Sequence, residues 1–411
     1  MFKRIAAIAF IFLCTSIAWA ILGATVFSRT YDTNNHLKGE VSSSWGTSQE
    51  QTAPTAGYNV ITPRIETTTE AGKQVERTID ESVWHVLPLD KSRVNATLHL
   101  DYRKKGLLWY STYQVQFAGE YQFTNPSDQP QSVSFNLPLP AQQAVYDNLI
   151  FAIDGTTVPS TSGDKLVYAT SYLKPHQTVA LKVSYHSQGL DSWAYNFGNG
   201  VAQVKDFQLH LATNVPTYDL LENTLSPTSE RLEPSGWELD WDYTNLVSGF
   251  RIGVAMPQKL QPGPLTGRMS FFAPVSLLFF FFVIFILTTL RGIDLHPMNY
   301  FFLACAFFSF HLLMAYLADV VPIHAAFVIC SCVSIFLLVS YLRIVAGMRS
   351  TAFEAGAAQF LYLVLFSYAF FFDGFTGLAI TIGAILTLFI AMQTTARVQW
   401  SQKFAAAPTT R

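Results

Sequence analysis

The 411-residue chain is half hydrophobic and only 13% charged, with a mean hydropathy of +0.26. Those values lie between a soluble domain and a pure transporter, and point to a membrane part joined to a water-exposed part. A net charge of −2, with no block of Lys or Arg, offers no footprint for nucleic acid.

The N-terminus reads Met1-Phe2-Lys3-Arg4 and then stays apolar from Ile5 to Phe27. Ala18-Trp19-Ala20 resembles a signal-peptidase site, so a cleaved signal peptide is one reading. The run continues past that site to the length of a full span, about 20 residues, which favours an uncleaved anchor over 1–27. Residues 28–82 read as a juxtamembrane helix and polar loop. The stretch to Gly46 is polar and proline-free, and Gln49 to Glu81 is rich in Thr, Glu, Gln and Pro, reading as loop or weak edge strand.

From Val83 short alternating strands appear, among them Thr112 to Phe117, Gly119 to Phe123, Ser132 to Leu137 and Thr178 to Tyr185. Apolar and polar residues alternate in each, as strands with one buried face require. Asn125-Pro126-Ser127-Asp128, Asp154-Gly155 and Lys174-Pro175 supply turn chemistry. Val204 to Thr213 and Gly249 to Met256 add further strands, giving an antiparallel β-sandwich over 83–256, with two sub-sandwiches meeting near Gly189 as one version. Trp109, Trp193, Trp237 and Trp241 belong to this part and read as core rather than as a ligand platform. Residues 257–269, with Gln261-Pro262-Gly263-Pro264, read as a stiff linker.

Five spans follow within 270–397, at about 270–290, 298–318, 323–343, 353–372 and 375–396, before a tail over 398–411. The fold class is therefore a membrane protein of α+β type: a six-helix transmembrane bundle, one N-terminal and five C-terminal, with a mainly antiparallel β-sandwich ectodomain between spans 1 and 2. With a cytoplasmic N-terminus, Lys3, Arg4, Arg291, Arg343, Arg349, Arg397, Lys403 and Arg411 all fall inside. The short outside turns, near Asp319 and near Asp373-Gly374, carry no Lys or Arg. That is the positive-inside distribution.

Between the second and third spans lies Ile293-Asp294-Leu295-His296-Pro297-Met298-Asn299-Tyr300, a polar break short enough to be a helical hairpin turn. Pro297 suits the first turn of a helix, where its missing N–H has no partner to lose. Asp294 and His296 stand where side chains set a helix start.

The four cysteines, Cys14, Cys305, Cys330 and Cys332, all lie in spans. The water-exposed part therefore uses neither disulfides nor thiolate-bound metal, and it is long enough to form an ordinary core. Cys330 and Cys332 project about 200° apart on a helix and read as filler, not a redox pair. Asn95-Ala96-Thr97 matches a glycosylation triplet that matters only in a eukaryotic secretory pathway. No metal, nucleotide or catalytic motif stands, so no catalytic, cofactor or metal residue is assigned.

His311 is the one ionisable group well inside a span, which makes it a functional candidate by default. Ala304, Ala315 and Ala318 share its helical face, so a neutral His hydrogen-bonded across a close-packed seam is the blander and favoured reading. Asp319, His324, Glu354 and Asp373 sit at span ends. Gly377, Gly383 and Ala355-Gly356-Ala357-Ala358 read as packing contacts.

Several stretches, in order, resemble the CreD family, a bacterial inner-membrane family associated with cell-envelope integrity and tolerance to a nuclease colicin. They are Glu40 to Gly46 with Gln49 or Gln51; Leu87-Pro88; Arg103 to Leu107 and Tyr113 to Tyr121; Leu225 to Thr228 with Gly236 to Trp241; and Leu295 to Tyr300. Ala53-Pro54-Thr55-Ala56-Gly57 departs from the Gly-Pro turn that the family tends to carry there. The resemblance implies an inner-membrane location and an envelope role, and supplies no reaction.

The expectation is a non-enzymatic inner-membrane protein supporting envelope integrity or stress tolerance through a periplasmic domain. Its partners would be the lipid bilayer and envelope proteins or lipids. The alternative is a transporter or channel using the bundle around His311, with Asp294, His296 and Asn299 in its pathway; an intramembrane enzyme would need a second polar group at the depth of His311. Against transport, no internal repeat is visible, and Pro274, Pro297 and Pro322 lie near span ends.

Overall fold

Among the described residues of the computed structural model, six helices are long and apolar enough to cross a bilayer, one near the N-terminus and five after residue 260. The structure describes residues 2–70, 73–105, 108–142, 144–163, 165–198, 202–293, 295–345, 349–372, 374–396 and 398. Two compact units emerge: Met1–His36 with Leu260–Arg411, and Leu37–Lys259. The first is helical and the second is built of sheets.

The N-terminal helix α1 runs unbroken over Phe2–Trp45, through the polar stretch that follows Phe27. Helix α2 spans Pro262–Arg291, so the expected linker is helical over its second half. Pro262 and Pro264 fall in the first turn, where a missing N–H costs nothing. Pro274 consequently lies inside α2, not near its end. Where α1 meets α2, a Cβ on Gly267 would come within 2.6 Å of the Phe27 ring, and one on Gly263 within 2.1 Å of Thr30 Oγ1. These two glycines, four apart, let the helices approach as small-residue seams do in membranes.

Gly292, in the left-handed region at φ 68°, ends α2, and the Ile293 N–H bonds back to the Thr288 carbonyl at 2.9 Å. This is how helices commonly stop at glycine. Helices α3 (Pro297–Leu317) and α4 (Ile323–Val345) follow. The fifth span is composite: α5 (Arg349–Gln359), a π-helical stretch Phe360–Leu365, α6 (Phe366–Tyr368) and a 3-10 turn Ala369–Phe371. Helix α7 (Thr376–Thr395) closes the unit. A Cβ on Gly383 would press on the Phe366 ring at 2.6 Å, whereas one on Gly377 would meet nothing. Gly383 is thus a packing contact, as expected, and Gly377 is not.

Seventeen strands form among the described residues of the sheet unit. They begin with β1 (Gln49–Thr52), β2 (Thr55–Glu70), β3 (Lys73–Val86), β4 (Leu89–Lys105), β5 (Leu108–Thr124) and β6 (Gln131–Pro138). Next come β7 (Tyr146–Ile153), β8 (Thr156–Thr157), β9 (Thr161–Ser162), β10 (Leu166–Leu173), β11 (Thr178–Leu190) and β12 (Ser192–Asn196). The last are β13 (Ala202–Thr213), β14 (Asp219–Leu220), β15 (Ser229–Glu233), β16 (Gly236–Ser248) and β17 (Ile252–Ala255). They pair into sheets ordered β1-β12-β17-β14, β3-β2-β6-β10-β9 and β15-β16-β13-β4-β5-β11-β7-β8. All pairings are antiparallel except β1 with β12 and β4 with β13.

Gln49 to Glu81, expected as loop or weak edge strand, is β1 and most of a long β2–β3 hairpin, with β3 at the edge of its sheet. Ile61 and Ile65 are exposed there at 67% and 64%, and a ribbon with neither face buried lacks the alternation by which a strand is recognised. Gly189, expected at a junction between sub-sandwiches, lies inside the continuous strand β11 opposite Tyr113. One core cluster joins all three sheets, from Ala53 to Met256, and a smaller one gathers Val41, Leu108, Tyr110 and Leu190. Asp154-Gly155 makes its turn as expected, with φ of 48° and 76°, the left-handed pair that a two-residue hairpin favours.

Candidate functional site

Helix α3 buries Tyr300, Leu303, Ala304, Phe307, Phe310, His311 and Met314 along one face. His311 is 1% exposed, and its surroundings are aromatic. Trp19 of α1 stands edge-on at 5.9 Å between ring centroids, Phe310 edge-on at 4.9 Å, and Phe307 stacks at 6.2 Å. Neither ring nitrogen makes a hydrogen bond of good geometry, and the Phe307 carbonyl one turn back is the acceptor facing the ring. The Trp19 indole N–H is also unpaired. The expected bond from His311 across a helix seam is therefore not formed; an aromatic cage takes its place.

Two lateral grooves of about 280 and 310 Å³ open on this unit, and neither includes His311 among its lining residues. The first lies between α1 and α2, lined by Ile5, Phe12, Leu278 and Phe282. The second is bounded by Ala357, Leu361, Tyr362 and Thr387. Polar contacts elsewhere tie helices together in pairs. Ser334 donates to the Ala306 carbonyl and accepts from Gln359 Nε2, each at 2.5 Å. Thr387 donates to the Gly383 carbonyl, so its contact with Tyr362 at 2.7 Å is a bond donated by the tyrosine. Arg29 pairs with Asp319 at 2.7 Å and bonds the Ala315 carbonyl, and Arg291 pairs with Glu354. Asp319 and Glu354 are thus neutralised within the unit, while His324 stacks on Phe371 at 4.8 Å.

The other candidate residues are not gathered around His311. His296 caps α3 as expected, its Nδ1 accepting from the Met298 N–H at 3.2 Å. Asn299 accepts from the Tyr341 hydroxyl at 2.9 Å, joining the start of α3 to the end of α4. Asp294 and Asp373 lie outside the described residues. Each placed residue of the hairpin has a structural duty of its own, and the set forms no constellation with His311.

His311→Leu will leave the protein at least as stable, with a gain of about 1 kcal/mol, because an unpaired buried polar group is replaced by an apolar one of similar size. Thermal unfolding of the purified full chain in detergent measures this. A clear loss of stability would mean that the imidazole has a partner that the cage does not offer.

The sheet unit holds a second concentration of polar groups, which sequence reasoning missed. A cleft of about 550 Å³ lies on the eight-stranded sheet over β4, β13 and β16. Arg93 beside it pairs with Asp206 at 2.5 Å. The Arg93 hydrogen bond, assisted by Lys91, holds the Asp206 carboxyl below its ordinary value of 3.8. A depressed pKa stabilises the fold above the unfolded value, and that stability is lost as pH falls through the lower folded value. The pair is therefore ionised throughout the neutral range. The only signal in sequence was the outward set of each strand, Arg93 and Asn95, Gln208 and His210, Asp240 and Asp242. Which strands adjoin could not be read from it.

Among the described residues, no group of three or more His, Cys, Asp or Glu side chains is disposed to hold a metal ion. The family model described as inner membrane protein CreD matches residues 1–153 and 208–401, most of the chain. No curated protein matches. Among solved structures, a putative nutrient binding protein from Legionella pneumophila is similar at 9% identity and TM-score 0.34, over 51% of this chain and 71% of that one. An M1 zinc metallopeptidase from Deinococcus radiodurans is similar at 11% identity and TM-score 0.26, over 77% of this chain and 93% of that one. The chain spans 42% of a mutant form of that peptidase, at 12% identity and TM-score 0.26 over 41% of itself.

Proposed function

The chain belongs to the CreD family of inner membrane proteins, and from that premise we propose a non-enzymatic envelope protein that supports cell-envelope integrity through contacts made by its sheet unit. The observation that carries this reading is the sealing of His311. His311, deep in a span, is ringed by Trp19, Phe307 and Phe310, and among the described residues no hydrogen bond joins it to a second ionisable side chain. A pathway through the bundle would require water and a second polar group there. The helical unit then acts as an anchor, and the sheet unit, with its own continuous core, is the part available to meet partners.

The charge pattern supports a periplasmic sheet unit and cytoplasmic termini. Lys3, Arg4, Arg291, Arg343 and Arg349 all fall on one side when the spans alternate. A reporter fused after Arg411 will be active only in the form that reads the cytoplasm; activity of a periplasmic reporter there would sink the six-span arrangement.

The contact reading is tested by photo-cross-linkers placed on exposed positions of the sheet unit in intact cells. Envelope proteins, glycan or lipid should be captured at discrete positions. In parallel, His311→Leu should support growth under envelope stress as the wild-type chain does. Failure of that variant while still folded would move the function into the bundle and favour transport.

A further inference from the structure

We propose that the cleft on the eight-stranded sheet binds a neutral, polyhydroxylated ligand, a short segment of glycan. The inference deepens the reading of the sheet unit as the contact-making part by naming a ligand class and a place.

The register of three adjacent strands builds the site. Gln208 of β13 lies opposite Arg93 of β4 on one side and Asp242 of β16 on the other. Two residues along, His210 lies opposite Asn95 and Asp240. Side chains at i and i+2 share a face, with strands about 4.8 Å apart and these rungs roughly 7 Å apart. Six planar hydrogen-bonding side chains thus form a grid of two rows of three, all lining the cleft.

The grid is held in place by its own bonds and those of its wall. Gln208 Nε2 donates to Asp242 Oδ2 at 3.1 Å, and His210 Nδ1 meets Asp240 Oδ1 at 2.7 Å. Ser229 donates to Asp240 Oδ2 at 3.1 Å. Thr228, forming the wall, bonds the Asp240 carbonyl through both its N–H and its hydroxyl, and accepts from the Asp242 N–H. The Trp241 indole beneath donates to the Leu225 carbonyl at 3.0 Å. Such pre-organisation on strands is what a recognition site requires.

The remaining valences select the ligand. The Gln208 carbonyl oxygen, His210 Nε2 and the whole Asn95 amide point to a ligand that both donates and accepts, as hydroxyls and amides do. Asp240 and Asp242 face the cleft, while Arg93 is engaged by Asp206, which also pairs with Lys91; the two cleft carboxylates disfavour phosphates and carboxylates. Val94, Leu209 and Trp241 turn their side chains into the core, at 2%, 1% and 0% exposure, so none of the three offers an open apolar side chain to an acyl chain or a hydrophobic peptide. The volume falls within the range of small-ligand sites, about 300–1,000 Å³. With hydrogen bonds as the sole attraction, the dissociation constant should be on the order of 1 mM.

The test uses the full chain in lipid nanodiscs, free of glycoside detergent, with N,N′-diacetylchitobiose as probe and saturation-transfer NMR as readout. The wild-type chain should bind the probe, and Asn95→Val and Gln208→Val, both at exposed strand positions, should weaken it at least tenfold. Gln116→Val, exposed elsewhere on the same sheet, should leave binding unchanged and serves as the folding control. The proposal is overturned if no neutral disaccharide binds the folded chain, if the two cleft variants bind as wild type, or if a uronate disaccharide or a trilysine peptide is preferred. Cross-links from another face to an envelope partner would keep the wider reading while this site fails.

Discussion

Gly236→Ala will destabilise the sheet unit by about 4 kcal/mol. Glu233 pairs with Gly236, leaving Pro234 and Ser235 as a two-residue turn between β15 and β16. Proline fixes its φ near −65° and cannot adopt the turn types that match strand twist in so short a hairpin. Gly236 takes up the mismatch at φ 139°, where an L side chain is strained. Space is lacking as well, since a Cβ there would stand 1.8 Å from the Thr213 carbonyl oxygen. Backbone must move to admit it, and that backbone is the end of β13. Denaturant unfolding followed by tryptophan fluorescence measures the loss, with Gly155→Ala as the comparison. Gly155 also has a positive φ, 76°, but its Cβ would meet nothing, so that change should cost only about 1 kcal/mol. Equal costs would show that the contact with Thr213 is not the cause. Because β16 also carries Asp240 and Asp242, Gly236→Ala should weaken the cleft together with the fold.

Gln51→Leu should cost about 3 kcal/mol, through one buried side chain that serves both a neighbouring strand and the core. Gln51 is fully buried on the four-residue strand β1. Its Nε2 donates to the Pro138 carbonyl at 3.1 Å and to the Thr52 carbonyl at 2.7 Å, and its Oε1 accepts from the Tyr185 hydroxyl at 2.7 Å. Burial pushes the Tyr185 phenol well above its ordinary pKa of 10, so it remains a donor at any physiological pH. Leucine leaves that donor and the Pro138 acceptor without this partner inside the buried core. Tyr185→Phe alone should cost less, about 1–2 kcal/mol, because Gln51 loses one of three bonds. In the double variant the stranded hydroxyl is gone, and the combined cost should fall at least 1 kcal/mol short of the sum. Strict additivity would mean that the two groups are not coupled.

The membrane part was legible because its signals are local. A run of apolar residues from Ile5 or from Phe271, Pro297 at a helix start and Arg343 in the last turn of a helix each carry their meaning within a few neighbours. The helix extensions were harder, since Pro262 and Pro264 read as a breaker until one sees that both occupy a first turn. The π-helical stretch at Phe360–Leu365 has no pattern that sets it apart from an ordinary span. The same holds for the β2–β3 hairpin, where exposed apolar residues such as Ile61 and Ile65 mix with polar ones and no single buried face marks a strand.

For the candidate sites the division follows the same physics. His311 stood out in sequence because an imidazole is costly in hydrocarbon, yet whether it met water, a partner or a ring of aromatics depended on Trp19, nearly three hundred residues away in the chain. The cleft was the reverse case. Alternation along β4, β13 and β16 turns Asn95, His210 and Asp240 outward, although of the three only the β13 stretch was legible as a strand. Only the pairing of β13 between β4 and β16, one neighbour parallel and the other antiparallel, set them in one row. By itself the sequence determined the spans, the turn chemistry and the inward or outward sense of strands such as β5, β6, β11 and β13, because periodicity and residue type act over a single element. The tertiary structure alone decided which strands adjoin and what surrounds a buried group, because those contacts join residues that share no local pattern.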